Sequence, residues 1–310
     1  MKYDVANRLI WVNDKIINVN DAKINVLSPT SQFGLNVFEG IPCYWNKSKK
    51  QLFAFRLNDH YDRLLKSARL IQIECPYTKD EMKKAFIEII TANEYKENIS
   101  VRQTLFVEGF GSWSSEGPVG MFIAPIPKKN TSVEYNKKGL DICISSWKRI
   151  SDNILSPKIK SGANYMNSRL GQREAIRNGY DTCLFLNEFG KISEGPGSCF
   201  FMVKNNKLIT PKITDSVLES ITRDTIIQIS ELLKIKVVER AIDRTEVYDC
   251  DEAFLCGSAM GITPIVSIDR YQIQNNNIFN ITSILQKEYF KIVYCENDNN
   301  PLKWSTAIYG

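Results

Sequence analysis

Three short polar turns constrain this chain more than any other feature. Residues 8–12 and 15–17 flank Asn13-Asp14, residues 37–45 and 51–56 flank Asn46-Lys47-Ser48, and residues 199–203 and 207–210 flank Asn205-Asn206. Asn and Asp tolerate the left-handed backbone that tight connections demand, so each pair of apolar runs is predicted to fold back as a hairpin. Between them the period changes. Tyr61, Leu64, Leu65 and Ala68 recur at helical spacing and predict a helix over 58–70. A second is predicted over 79–92, opened by the polar cap Thr78, with strands over 100–108 and 119–126. Strands and helices in this order make the first part α+β.

Pro125-Ile126-Pro127-Lys128-Lys129-Asn130-Thr131-Ser132 interrupts the pattern. Polar and proline-flanked, it has linker composition. The expected organisation is therefore a domain over 1–126, a linker over 127–137 and a second domain over 138–310. The second begins with a strand over 140–146 and an irregular lysine-containing loop. A helix over 164–178 follows, stopped by Gly179. Strands over 182–186 and 191–193 are expected around Asn187-Glu188-Phe189-Gly190. Ser220-Ile221-Thr222-Arg223-Asp224 opens a helix with apolar Ile226, Ile227, Ile229, Leu232 and Leu233. Strands over 236–239 and 253–256 and a final helix over 281–293 complete the reading, with Asn275-Asn276-Asn277 in a loop.

Composition excludes several classes of function. With 310 residues, 43% hydrophobic and 24% charged, the chain has material for two ordinary globular cores. The net charge of +5 is dispersed among acids rather than gathered into basic runs, which argues against a nucleic-acid partner. Neither a signal-like apolar segment at the N-terminus nor a membrane-length apolar stretch is seen, so a cytoplasmic location is expected. The eight cysteines show no CxxC or zinc-like spacing and read as reduced, mostly buried small apolar residues. His60 is the only histidine, which excludes multi-histidine metal sites and leaves proton transfer to Lys, Tyr, Cys or a carboxylate. In Asn58-Asp59-His60-Tyr61 it reads as a residue of the helix surface or capping region.

Four segments of the second half can carry chemistry. Lys160 lies in Lys158-Ile159-Lys160-Ser161-Gly162-Ala163-Asn164-Tyr165, a small-residue loop before a helix. A lysine held there, shielded from water or beside a cation, becomes a nucleophile for an aldehyde; alone, it is a solvated surface lysine. Glu194 precedes Gly195-Pro196-Gly197, where a carboxylate at a strand end can face a pyridine nitrogen; alone, it is a turn carboxylate. Ser220-Ile221-Thr222-Arg223 offers a helix N-terminus suited to phosphate, though many helices begin so. Gly257-Ser258-Ala259-Met260-Gly261-Ile262-Thr263-Pro264 is a small-residue loop after a strand, with N–H groups and a hydroxyl for an anion, or an ordinary turn.

In their order and spacing these segments resemble class IV pyridoxal-phosphate enzymes, most of all branched-chain amino acid aminotransferases. The likeness begins at Trp11-Val12-Asn13 and Asp21-Ala22-Lys23. It runs through Phe38-Glu39-Gly40-Ile41, Phe55-Arg56, residues 60–64, Ser145-Ser146-Trp147-Lys148-Arg149 and residues 160–165, then residues 192–197, Ile221 to Asp224 and residues 257–264. The resemblance implies fold-type IV: a small N-terminal α/β domain, a larger pseudo-barrel C-terminal domain, and a homodimer whose partner helps close the pocket. It implies pyridoxal 5′-phosphate as cofactor, joined as a Schiff base to Lys160, which is also the proton carrier; Lys158 is the nearby competitor. Tyr165 would meet the phenolic oxygen and Glu194 the ring nitrogen. Arg63, Ile221, Thr222 and Ser258 would hold the phosphate. Phe38, Arg102, Ser258 and Ala259 would meet substrate, Arg102 through the distal carboxylate of glutamate or 2-oxoglutarate.

The sequence departs from the family pattern at Phe33, where tyrosine is usual, at Pro42 for arginine, at Ser100 for tyrosine, and in Ile126-Pro127-Lys128-Lys129-Asn130 for Pro-Trp-Gly-x-Tyr. These positions bear on substrate choice. The expected reaction is transamination between an apolar L-2-amino acid and 2-oxoglutarate. Alternatives within the fold are a D-amino acid or amine transaminase, aminodeoxychorismate lyase, or a specialist for an unusual 2-oxo acid. Outside enzymology, the alternative is a non-catalytic binding paralogue.

Overall fold

The computed structural model describes residues 7–128, 138–273, 280–296 and 303–310. In the first turn both Asn13 and Asp14 have positive φ, 43° and 66°, and β1 (Leu9–Val12) folds back on β2 (Lys15–Asn18). After the short helix α1 (Pro29–Phe33), strand β3 (Asn36–Asn46) turns into β4 (Gln51–Phe55). Helices α2 (Leu57–Leu70) and α3 (Lys79–Asn93) follow. The second opens on a capping box in which Thr78 and Glu81 each satisfy the other's backbone N–H. Strands β5 (Ile99–Val107), β6 (Val119–Pro127) and β15 (Ser305–Ala307) complete a sheet in the order β15-β4-β3-β5-β6-β1-β2.

Alternation sorts this sheet into two faces. Val37, Ile41, Cys43, Val101, Leu105, Met121 and Ile123 turn to one core with Leu57, Tyr61, Leu64 and Ala68 of α2 and Met82, Phe86, Ile89 and Ile90 of α3. Phe38, Gly40, Pro42, Ser100, Arg102 and Ala124 occupy the alternate positions.

The chain divides into two compact units. The first takes residues 1–128 together with 159–163 and 292–310, so the lysine-bearing segment and the C-terminal segment pack with the N-terminal sheet. A single break after residue 137 does not describe this division, because Ser161 bridges to Val37 of β3 and β15 pairs with β4. The expected linker lies mostly outside the described residues, as does the 275–277 loop.

In the second unit β7 (Leu140–Lys148) runs parallel to β8 (Thr182–Leu186), joined through helix α4 (Tyr165–Arg177). Gly179 ends this helix with φ of 75°. The hairpin β9 (Cys199–Lys204) and β10 (Lys207–Thr210) turns at Asn205 and Asn206, both with positive φ. Helix α5 (Ile221–Leu232) and β11 (Val237–Glu239) lead to β12 (Glu252–Gly257), β13 (Gly261–Ile268), β14 (Tyr271–Gln272) and helix α6 (Asn280–Val293). The sheet path is β11-β10-β9-β12-β13-β7-β8, with β14 on β13. Beyond this path, isolated bridges join Leu186 of β8 to Ile192 and Lys191 to Asp243.

Two expectations change. Residues 191–193 form only those bridges rather than a strand. The small-residue loop is shorter than expected, since residues from Gly261 onward pair with β12 and Pro264 itself sits opposite Phe254. None of the eight cysteines is in a disulfide; Cys75 and Cys295 are half-buried and the rest buried. Among the described residues no helix is long and apolar enough to cross a membrane.

Helix α6 is started by a buried carboxylate from another element. Glu252, 2% exposed, accepts the backbone N–H groups of Ile281 at 3.0 Å and Thr282 at 2.8 Å and the Thr282 hydroxyl at 2.7 Å. Glu252→Gln, which keeps the shape but removes the charge, is expected to lower unfolding free energy by about 1–2 kcal/mol in urea titration. An unchanged midpoint would show that the cap contributes nothing.

Candidate active site

Lys160 is fixed through its backbone. Its carbonyl accepts the N–H of Phe38 at 3.0 Å, and its own N–H donates to the Ser67 hydroxyl of α2 at 3.1 Å. Gly162 N–H reaches the Asn36 side chain at 3.3 Å, and a Cβ at Gly162 would lie 2.7 Å from that same oxygen, so a larger residue there would displace the Asn36 amide from this bond. With the main chain pinned, the flexible part of the lysine is its side chain. Its Nζ lies 5.3 Å from the centre of the Phe38 ring, and the Arg102 guanidinium lies 4.2 Å from the same centre. Three predicted residues thus meet in the first unit.

Beneath Phe38, on the opposite face of β3, Glu39 points at α2. Arg63 donates to it from Nε and Nη2, each at 2.7 Å to a different oxygen, and His60 Nδ1 lies 2.7 Å from Oε2. Burial alone would raise the Glu39 carboxyl, but the Arg63 guanidinium and His60 more than offset it and hold it far below the ordinary 4.5. His60 is pushed below its ordinary 6.5 by burial, with Glu39 opposing and Arg63 and Lys160 adding to the effect. It is fully buried, which corrects the expectation of a helix-surface or capping residue. His60, Arg63 and Ser67 recur at i, i+3 and i+7, a buried polar stripe beside the apolar one formed by Tyr61, Leu64 and Ala68.

In the second unit four predicted segments come together. Glu194, 3% exposed, pairs with Arg149, whose Nε and Nη2 both lie 2.9 Å from Oε1. Its other oxygen accepts the Leu218 N–H at 3.2 Å, just before the Ser220 cap of α5. Ile221 and Thr222 are both buried in the first turn, where a helix leaves N–H groups that it cannot satisfy from within. The turn bearing Ser258 and Ala259 packs against the Glu194 segment: a Cβ at Gly257 would lie 3.1 Å from the Gly197 carbonyl oxygen. Ser258 is half-buried and Ala259 exposed. Tyr165 and Ser168 line a cleft of about 510 Å³ together with Pro196 and Gly197. Arg149 also donates to Asn167 at 3.0 Å, which ties the start of α4 to the same cluster.

Sequence reasoning assigned no role to Glu39, Ser67 or Arg149. The available signal was a charged residue at an inward position of an apolar strand, with cations at helical spacing nearby. The departures at Pro42, Ser100 and Ile126 prove to be neighbours: Ser100 pairs with Pro42 on one side and Ile126 on the other, one row along from Arg102, which pairs with Gly40 and Ala124. Phe33 is exposed at the end of α1. Lys158 belongs to the second unit, where it is ion-paired with Asp152 at 3.6 Å.

The family model for amino-transferase class IV matches residues 36–268. The probable branched-chain-amino-acid aminotransferase of Aquifex aeolicus is 35% identical over 296 residues, 95% of each chain. The branched-chain amino acid aminotransferase of Thermobaculum terrenum, solved in its PLP form, superposes with a TM-score of 0.92 at 40% identity, covering 99% of this chain and 100% of that one. The branched-chain aminotransferase of Thermoproteus uzoniensis, solved with norvaline, gives 0.91 at 36% identity over 97% and 99%.

Both perturbed groups depress stability in acid. Each has a folded pKa below its unfolded value, so its contribution is complete above the unfolded value and lost as pH falls toward the folded one. The unfolding free energy is expected to decline below pH 6.5 through His60 and more steeply below 4.5 through Glu39. Because His60 is the only histidine, His60→Asn should flatten the leg between pH 6.5 and 5.5, which one proton limits to about 1.4 kcal/mol per pH unit. Identical wild-type and variant slopes in urea titrations would refute the assignment.

Proposed function

Because this chain belongs to the amino-transferase class IV family, we propose that it is a pyridoxal 5′-phosphate-dependent branched-chain-amino-acid aminotransferase, exchanging an apolar L-2-amino acid with 2-oxoglutarate. The observation that carries this reading is Lys160, an amine whose backbone is pinned between β3 and α2 while its side chain stays adaptable. The donor set fits the cofactor group by group. An amine suits its aldehyde, a buried ion-paired carboxylate at Glu194 suits a protonated ring nitrogen, and a guanidinium with helix-start N–H groups suits its phosphate.

When bound, the cofactor supplies an electron sink for the bonds at the substrate's α-carbon. The remaining work falls to the protein. Lys160 Nζ would hold the cofactor through its aldehyde group and, once freed by the substrate amine, would carry the proton that leaves the substrate's α-carbon. Glu194 keeps a negative charge at the ring nitrogen, and Arg149 keeps that carboxylate in place. Tyr165 donates to the phenolic oxygen. Arg63, Ile221, Thr222 and Ser258 would hold the phosphate, Arg63 through charge-assisted bonds. The Ser258 and Ala259 N–H groups receive the α-carboxylate, while Phe38 and Arg102 meet the side chain.

We read the working unit as a cytoplasmic homodimer. Val26, Phe110 and Trp113, each 75% exposed, are apolar side chains of the kind that a second copy would cover.

The purified protein is expected to carry the visible band of lysine-bound cofactor, which L-glutamate or L-leucine converts to the near-ultraviolet band of the amine form. Lys160→Ala should lack the visible band. A colourless wild-type protein that cannot be reconstituted with pyridoxal 5′-phosphate would overturn the reading. Arg102→Leu should raise KM for 2-oxoglutarate about 10–100-fold while changing that for L-leucine much less, because only the former presents a second carboxylate. Equal changes for both substrates would remove Arg102 from carboxylate recognition.

A further inference from the structure

The sole histidine has no place in the chemistry above, yet it is fully buried beside a residue that has one. His60 sits one helical turn before Arg63 on α2, and both converge on the Glu39 carboxylate. Two of the five N–H bonds of Arg63 go to Glu39, one to each oxygen, which fixes the plane of the guanidinium. Oε2 takes a second donor from His60 at 2.7 Å. An ionised carboxylate only accepts, so the proton of the neutral ring resides on Nδ1. Nε2 is left as a buried acceptor with no hydrogen-bond partner. The ring therefore makes one directed side-chain bond, and that bond is to Glu39.

We propose that His60 is a positioning residue for phosphate recognition: its Nδ1–H fixes the rotation of the Glu39 carboxylate, and Glu39 in turn fixes the Arg63 guanidinium in the orientation that receives a phosphate ester. This rests on the reading of Arg63 as a phosphate ligand. Without the His60 donor, Oε2 is held by Arg63 alone. Carboxylate and guanidinium can then rotate together, and the phosphate loses the geometric gain of a preset cation. Asparagine can place an amide N–H toward the same oxygen, whereas leucine fills the volume without a donor.

The test compares full-length apoprotein variants for their affinity for pyridoxal 5′-phosphate and for pyridoxal, which lacks the phosphate. The ratio of the two dissociation constants isolates phosphate recognition from general damage to the fold. His60→Leu is expected to reduce this preference by about tenfold, and His60→Asn to keep it within about threefold of wild type. A His60→Leu protein with the wild-type ratio would overturn the proposal. So would an asparagine variant as impaired as the leucine one. Arg63→Met separates the two levels of inference: an unchanged ratio there would refute Arg63 as a phosphate ligand, whereas a collapsed ratio alongside an intact His60→Leu protein refutes His60 alone.

Should the leucine variant fail to fold, the wild type decides through ¹⁵N-histidine spectra, in which only His60 contributes. The Nδ1–H neutral form at pH 7, with signals that respond more to pyridoxal 5′-phosphate than to pyridoxal, supports the proposal. An Nε2–H ring, or equal responses to the two compounds, overturns it.

Discussion

A carboxylate shut away from water needs permanent partners, and the arrangement of the first unit follows from meeting that need at Glu39. Strand β3 presents Glu39 among Val37, Ile41 and Cys43, all fully buried. The required donors come from α2, whose face toward β3 therefore mixes apolar residues with His60, Arg63 and Ser67. This restricts how the helix can lie. Rotating it by one residue would move Arg63 about 100° away and leave Glu39 uncompensated, a penalty of several kcal/mol. The rotation that pairs Arg63 with Glu39 presents Ser67 to the backbone of Lys160, so the burial of one charge also sets the main chain of that lysine.

The second unit repeats the device with different elements. Glu194 also lies in an extended segment and is also pinned by an arginine, Arg149 at the end of β7. Its remaining oxygen draws in the N–H of Leu218, which sets where the chain enters α5. In each unit an ion pair with additional donors fixes a local structure that hydrophobic packing alone would leave adjustable. Buried pairs of this kind contribute little net stability, because desolvation consumes most of their attraction. What they confer is uniqueness of placement, which a site for a polyfunctional small molecule requires.

The hairpins at Asn13-Asp14 and Asn205-Asn206 were legible because turn chemistry is local: the residues that adopt positive φ are the ones the sequence shows. The predicted helices were likewise legible from apolar spacing and caps. Lys160, Arg63, Glu194 and the α5 start could be named because their order matches a family, not because any one of them is distinctive. The polar stripe of α2 was illegible for a physical reason. His60 and Ser67 have the composition of an exposed face, and only the neighbouring strand reveals that they are buried. Strand β13 was hidden by the glycines and proline around it, since its pairing with β12 is a long-range property. The attachment of residues 159–163 to the first unit was hidden in the same way, through the contact of Ser161 with Val37.

On the proposed reading, the face of β3, β5 and β6 that carries Phe38 and Arg102 meets the substrate. Arg102 stands between Gly40 and Ala124, two small neighbours that leave a long cation room to change direction. At rest it lies over the Phe38 ring, a contact worth roughly 0.5–1 kcal/mol at an exposed site. A carboxylate offers a charge-assisted bond of about 1.5–3 kcal/mol, enough to draw the guanidinium off the ring. An apolar side chain offers no such bond, and Arg102 then stays on Phe38 and presents its aliphatic stem. The next row, Pro42, Ser100 and Ile126, carries no charge and only one small hydroxyl. On the proposed reading, recognition of the distal carboxylate on this face therefore depends on Arg102 alone, while the apolar substrate meets a surface that is cheap to desolvate. On that reading, one adaptable cation beside an uncharged row serves an acidic and an apolar partner in turn.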